Sequence, residues 1–289
     1  MKYSKNHVSK IFNYNNIFLY AIYTLFLINI FQITYVNAEK DKKFIILNEN
    51  NTVVLRNEIN SISISNTIKN LYNLDNNNFD SNFDNSNDKY LFIISQGGSV
   101  FDGNMLIEYI KNTNISCITS FAASMGFTIM QNCKNRYILD NAIMMQHQMS
   151  IVYPNYKPIS NLNQLNNMYQ KVYQKLINSQ ADRINMDPLM FEKKIAEDWW
   201  LFDQEIIDFN IADEKVNVYC SNELVNKKDV YEVKIFGFTT NLIYSGCPLI
   251  TEPISIDIFN KTEINEQTYQ NIYNELNKIN YRKYNLDLN

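Results

Sequence analysis

A serine hydroxyl becomes a useful nucleophile only with a base in hydrogen-bond reach and a third group that holds the base in the right tautomer. Ser124, His147 and Asp198 supply those three residue types. Ser124 lies in Phe121-Ala122-Ala123-Ser124-Met125-Gly126, among small residues at what reads as a strand-to-helix junction. His147 lies in Met144-Met145-Gln146-His147-Gln148 and is one of only two histidines; the other is His7, near the start of the chain. Acyl transfer also needs backbone donors for the tetrahedral oxyanion, and the N–H groups of Gly98, in Gln96-Gly97-Gly98-Ser99-Val100, and of Met125 suit that role. Taken singly, each has a plainer explanation: Ser124 as helix–sheet packing, Gly97-Gly98 as a turn, Asp198 before Trp199-Trp200 as a cap or ion-pair partner.

The elements around these residues read as α/β. Phe44 to Leu47 and Val53 to Leu55 have strand character, and Ile62 to Leu71 has helical apolar spacing. The stretch from 74 to 88 is nearly all Asn, Asp and Ser and is expected to be a flexible surface insertion. Tyr90 to Ile94 reads as a buried strand ended by a Gly97-Gly98 turn, Met105 to Ile110 as a helix, Ile115 to Thr119 as a strand and Ala122 to Met130 as a helix. Two short strands are expected at Tyr137 to Leu139 and Ile143 to Met145. This recurrence predicts βαβ units around a mostly parallel sheet. A long helix is expected from about Ser160 to Arg183, then a helix capped by Asp187 with Pro188 in its first turn. Asp203 is the expected N-cap of a helix over Gln204 to Phe209 that ends at Asn210, and Glu214 to Val218 is the closing strand. Beyond Tyr219 the pattern is irregular, with a strand at Val230 to Phe236 and helical spacing from Glu266 to Tyr281.

With 289 residues, 46% of them hydrophobic, the chain can bury a sizeable core. A net charge of −4 without a basic block argues against nucleic acid as a partner. At the N-terminus Lys2, Lys5 and Lys10 precede an apolar run from Ile17 to Phe31, with small residues for cleavage at Val36-Asn37-Ala38. That pattern predicts a signal peptide over 1–38 or, if uncleaved, a membrane anchor over 17–36, and hence the secretory route: an extracytoplasmic location, attachment to a membrane, or an organelle reached that way. Cys220 and Cys247 could bridge a loop, whereas Cys117 and Cys133 are expected to be free buried thiols.

The ordered set Gly97-Gly98-Ser99, Ala123-Ser124-Met125-Gly126, His147-Gln148 and Asp198-Trp199-Trp200 resembles the proteolytic subunit of the Clp serine proteases, over roughly residues 44 to 219. The closing Asn210-Ile211-Ala212-Asp213-Glu214 is similar to that family's Gly-Leu-Val-Asp segment. The resemblance implies an α/β ClpP/crotonase-like spiral of βαβ units with a long protruding helix, here followed by an irregular C-terminal extension over 220–289. It implies Ser124 as nucleophile, His147 as general base and later acid, Asp198 as orienting carboxylate, and Gly98 with Met125 as oxyanion hole. It further implies peptide or unfolded protein as substrate and a homo-oligomeric ring, with no cofactor and no metal.

This chain departs from the family pattern in several places. Gln96 and Met149 stand where prolines are usual, which implies an altered substrate-binding strand, and Ile151 to Tyr156 replaces a glycine-rich strand. An exported chain would not meet an ATP-driven unfoldase, so cleavage without a cognate ATPase is expected. Two alternatives stay open: a catalytically silent ring subunit, and a membrane-associated peptidase of the signal-peptide-peptidase A kind with Lys171 or Lys175 as base.

Overall fold

The computed structural model describes residues 42–77, 88–151, 159–235 and 238–258, together with the isolated helical positions Gln267, Asn271 and Asn274. The chain divides into two units, Met1–Lys43 and Phe44–Asn289, and of the first only Lys42 and Lys43 are described. The expected signal or anchor segment therefore lies outside the described residues. No described helix is long and apolar enough to cross a membrane.

The second unit is built on a seven-stranded sheet. Its strands are β1 (Lys43–Leu47), β2 (Thr52–Ile59), β3 (Lys89–Gly98), β4 (Ile115–Ala123), β5 (Arg136–Gln146), β6 (Trp199–Phe202) and β7 (Glu214–Cys220). They lie in the order β1-β7-β5-β4-β3-β2, with β6 added antiparallel to β5. The ladders β2–β3, β3–β4, β4–β5 and β5–β7 are all parallel, which requires crossover helices. These are α1 (Ser61–Asn77), α2 (Val100–Lys111) and α3 (Met125–Gln131), with the long α4 (Ile159–Arg183), α5 (Pro188–Lys194) and α6 (Gln204–Asp208) between β5 and β7.

Burial on both faces explains the continuous apolar run in β3. Leu91 and Ile93 join the core under α2 and α3, while Tyr90, Phe92 and Ile94 point into a second core with Val216, Leu224 and Cys247. The second face is covered in part by the C-terminal segment. That segment is more regular than its sequence suggests: α7 (Asn222–Asn226) leads into an antiparallel sheet of β8 (Lys228–Ile235), β9 (Phe238–Ser245) and β10 (Ser255–Ile258). Buried Arg56 ties it on, donating from Nη2 to the Cys247 carbonyl at 2.9 Å. The helical pattern expected from Glu266 lies almost wholly outside the described residues.

Several local expectations change. The 74–88 segment is not all insertion: α1 continues to Asn77, Leu74 is buried, and Asp75 pairs with Lys89 and accepts from the Tyr109 hydroxyl at 2.8 Å. Gly97 and Gly98 end β3 itself, and the turn falls at Ser99, whose hydroxyl caps α2 by accepting from the Asp102 amide. The two short strands at 137–145 are halves of one strand, β5. Between them β5 has extra residues relative to β4, because Thr119 pairs with Ile138 but Phe121 with Ile143. Asn141 takes the left-handed conformation at that bulge (φ 60°).

Asp187 caps α5 as expected, accepting from the Leu189 and Met190 amides. Asp203 stands at the N-cap of α6 but makes no capping bond of the usual kind; its carboxylate instead pairs with Lys215 at 2.9 Å and accepts from the Asn141 amide. Asn210 has the left-handed conformation expected of it. Cys220 and Cys247 form a disulfide. Cys117 and Cys133, expected to be free, form a second one: strand β4 and the turn after α3 run side by side, their Cα atoms 5.7 Å apart, so two buried thiols meet.

Candidate active site

Ser124 occupies the single residue between β4 and α3. Its backbone is at φ 53°, ψ −118°, a region that a side chain enters only at a cost of about 1–3 kcal/mol and that recurs at functional sites. The bend is held from both sides. The Ser124 amide donates to the Met145 carbonyl of β5 at 2.9 Å, and the Thr128 amide donates to the Ser124 carbonyl at 3.1 Å. Gly97 (φ 98°) leaves the space: a Cβ there would stand 2.6 Å from Ser124 Cβ and 2.9 Å from the Met125 nitrogen. The glycine is thus required both by its own backbone and by the serine it faces.

The imidazole arrives from the end of β5. His147 Nε2 lies 2.8 Å from Ser124 Oγ, within reach for proton transfer from the hydroxyl to the ring. Met125 opens α3, so its N–H has no acceptor within the helix, and Gly98 lines the same cleft. Ser124, His147, Gly98 and Met125 therefore surround one cleft of about 80 Å³.

Asp198 is the member not brought into contact. Its side chain is exposed, and among the described residues it accepts no hydrogen bond from His147. Its backbone, however, continues the β5–β6 register. The antiparallel β5–β6 ladder ends with Gln146 opposite Trp199, so one further step sets Asp198 across from His147. Lys171 and Lys175 are exposed on α4, and neither lines the cleft. Among the described residues no group of three or more His, Cys, Asp or Glu side chains is placed to hold a metal.

Three residues of the site escaped the sequence reading. Thr128, Gln146 and Gln180 form a buried polar cluster that joins α3, β5 and α4. Gln146 Nε2 donates to Thr128 Oγ1 at 3.0 Å and to Gln180 Oε1, while Gln146 Oε1 accepts from the His147 amide at 3.1 Å. The available signal was a buried glutamine closing the apolar run Ala142 to Met145 at the end of β5.

Residues 35–218 match the family model for Clp protease. The chain belongs to the Clp protease family. It is accordingly a ClpP-like serine peptidase in kind, and its α/β fold with a mostly parallel sheet is the ClpP/crotonase-like one. No curated protein matches the chain.

Proposed function

We propose that the chain is a serine endopeptidase that hydrolyses peptide bonds through an acyl-enzyme on Ser124. The observation that carries this is the 2.8 Å contact between Ser124 Oγ and His147 Nε2 at a strained strand-to-helix bend. In the acylation step the Ser124 hydroxyl proton passes to Nε2 as Oγ attacks the scissile carbonyl. The oxyanion is met by the Gly98 and Met125 amides, and His147 then gives its proton to the leaving amine. Water repeats the sequence to release the acid. Asp198 is the orienting carboxylate, supported by its register opposite His147; a change of its side-chain rotamer toward the ring completes the triad.

The substrate is a peptide or an unfolded segment, cleaved without a cognate ATPase by a homo-oligomeric ring. Two disulfides support a secretory-route location, secreted or held at a membrane by the N-terminal segment, because such bonds persist in oxidising compartments. The test is labelling of the full chain by a fluorophosphonate probe beside Ser124→Ala and His147→Ala. Labelling lost in both variants is the expected result. The exposed Asp198 is the one observation favouring a catalytically silent subunit, and a folded, assembled chain that takes no label would establish that reading instead.

A further inference from the structure

The lining of the cleft beside Ser124 includes apolar Val100, Met125, Leu176, Ile177 and Ile195 and polar Thr128, Gln146, Tyr173 and Gln180. Thr128, Gln146 and Gln180 are 4%, 4% and 3% exposed, so each hydrogen bond that they lack goes unmade. Gln146 is fully engaged: both N–H groups donate within the cluster, and its oxygen accepts from the His147 amide. Gln180 is not. Its Nε2 donates one hydrogen to the Leu176 carbonyl at 3.1 Å and carries a second.

Among the described residues the Tyr173 hydroxyl is buried and makes no hydrogen bond, with Glu192 and Gln148 as its nearest polar neighbours. Burial first, and Glu192 second, push its pKa up, so it stays a neutral donor and acceptor. Among the described residues, no Asp, Glu, Lys or Arg lines the cleft. At about 10–15 Å³ per water-sized sphere, the 80 Å³ hold on the order of five to eight non-hydrogen atoms, enough for one medium side chain.

We propose that this cleft receives the side chain on the acyl side of the scissile bond (P1) and selects a carboxamide, glutamine or asparagine. The inference rests on the serine-peptidase reading of the same site. A carboxamide presents an oxygen to the second Gln180 N–H and either an acceptor or a donor to the Tyr173 hydroxyl. An aliphatic side chain of the same size offers neither the second Gln180 N–H nor the Tyr173 hydroxyl a partner, and a charged one is desolvated with no charged side chain among the described lining residues. Sites built to bond a polar group discriminate strongly against analogues that lack it.

The experiment uses the full chain and peptidyl diphenyl phosphonates that differ only at P1: Gln, Asn, Leu, Glu and Lys. Inactivation is read as loss of fluorophosphonate labelling, so no substrate turnover is required. Inactivation at least 10-fold faster for Gln or Asn than for Leu, Glu and Lys is expected, and Gln180→Leu is expected to reverse the order between Gln and Leu. Equal rates, or a preference for Leu, in a chain that labels would overturn the carboxamide pocket and leave the peptidase reading standing. A chain that takes no label overturns both.

Discussion

Gly97 shows how a residue without a side chain holds one that reacts. A methyl group at this position collides with Ser124 Cβ and the Met125 nitrogen and is strained by its own φ of 98°. Gly97→Ala is therefore expected to destabilise the fold by more than about 1 kcal/mol and to reduce fluorophosphonate labelling sharply in the fraction that stays folded. Thermal melts read the first effect and gel fluorescence the second. Asp198→Asn separates a triad from a dyad. If Asp198 turns to His147, the variant loses about 10⁴-fold in peptidase rate with its melting temperature unchanged; an unchanged rate would show that Ser124 and His147 act without it. That Ser124, His147, Gly98 and Met125 meet at one cleft was legible in the sequence because residue type and order pointed to a common chemistry. Gln146, Gln180 and Thr128 were not, since their partners are far apart in the chain and an isolated glutamine carries no pattern.

Elements were legible where one period ran unbroken, as in α4 or the core of β3, and less so where backbone geometry interrupts it. The bulge at Asn141 split β5 into two apparent strands, and α1 ran on into an Asn-rich stretch because Leu74 and Asp75 find partners that the local composition does not reveal. Arg136 is the largest such omission. Nearly wholly buried, it donates to Asp213 from its amide (2.7 Å) and its Nε (3.1 Å), to Gln131 Oε1 and to the Asn210 carbonyl, fastening the start of β5 to the loop before β7. Burial pushes the Asp213 carboxyl up, but the Arg136 hydrogen bonds outweigh it and the net pKa is lowered. A carboxylate with a depressed folded pKa contributes stability that is present above the unfolded pKa, about 4, and is lost as the pH falls through the folded value. The melting temperature is thus expected to fall below about pH 4. Asp213→Asn is expected to flatten that acid limb and to cost about 3 kcal/mol at pH 7, roughly 6–12 °C by calorimetry. The Cys117–Cys133 bridge encloses the Ser124 bend in a loop of 16 residues' separation. Replacing both of its cysteines, Cys117→Ser with Cys133→Ser, is expected to remove about 3 kcal/mol, read as a lower melting temperature.

At the scale of the molecule, the second unit leaves large apolar side chains on its surface: Phe101 and Met105 one turn apart on α2, Leu189 and Met190 on α5, and Trp200 and Phe202 at the edge strand β6. Such patches favour subunit contacts over an isolated monomer, and sedimentation of the full chain is expected to give a discrete oligomer. Charged replacement of Phe101 and Met105 together is expected to shift it toward monomer. The parallel sheet was legible as a whole because strand and helix alternate along the chain, while the C-terminal sheet was obscured by Pro248 and Pro253. The Cys220–Cys247 bridge has a consequence for how this chain behaves when it is cut. It spans α7, β8 and β9, so a protease that nicks any exposed bond between the two cysteines leaves both pieces joined. Such a nicked chain runs as one band on a gel without thiol and as two with it. Purity judged without thiol would therefore count nicked and intact molecules alike.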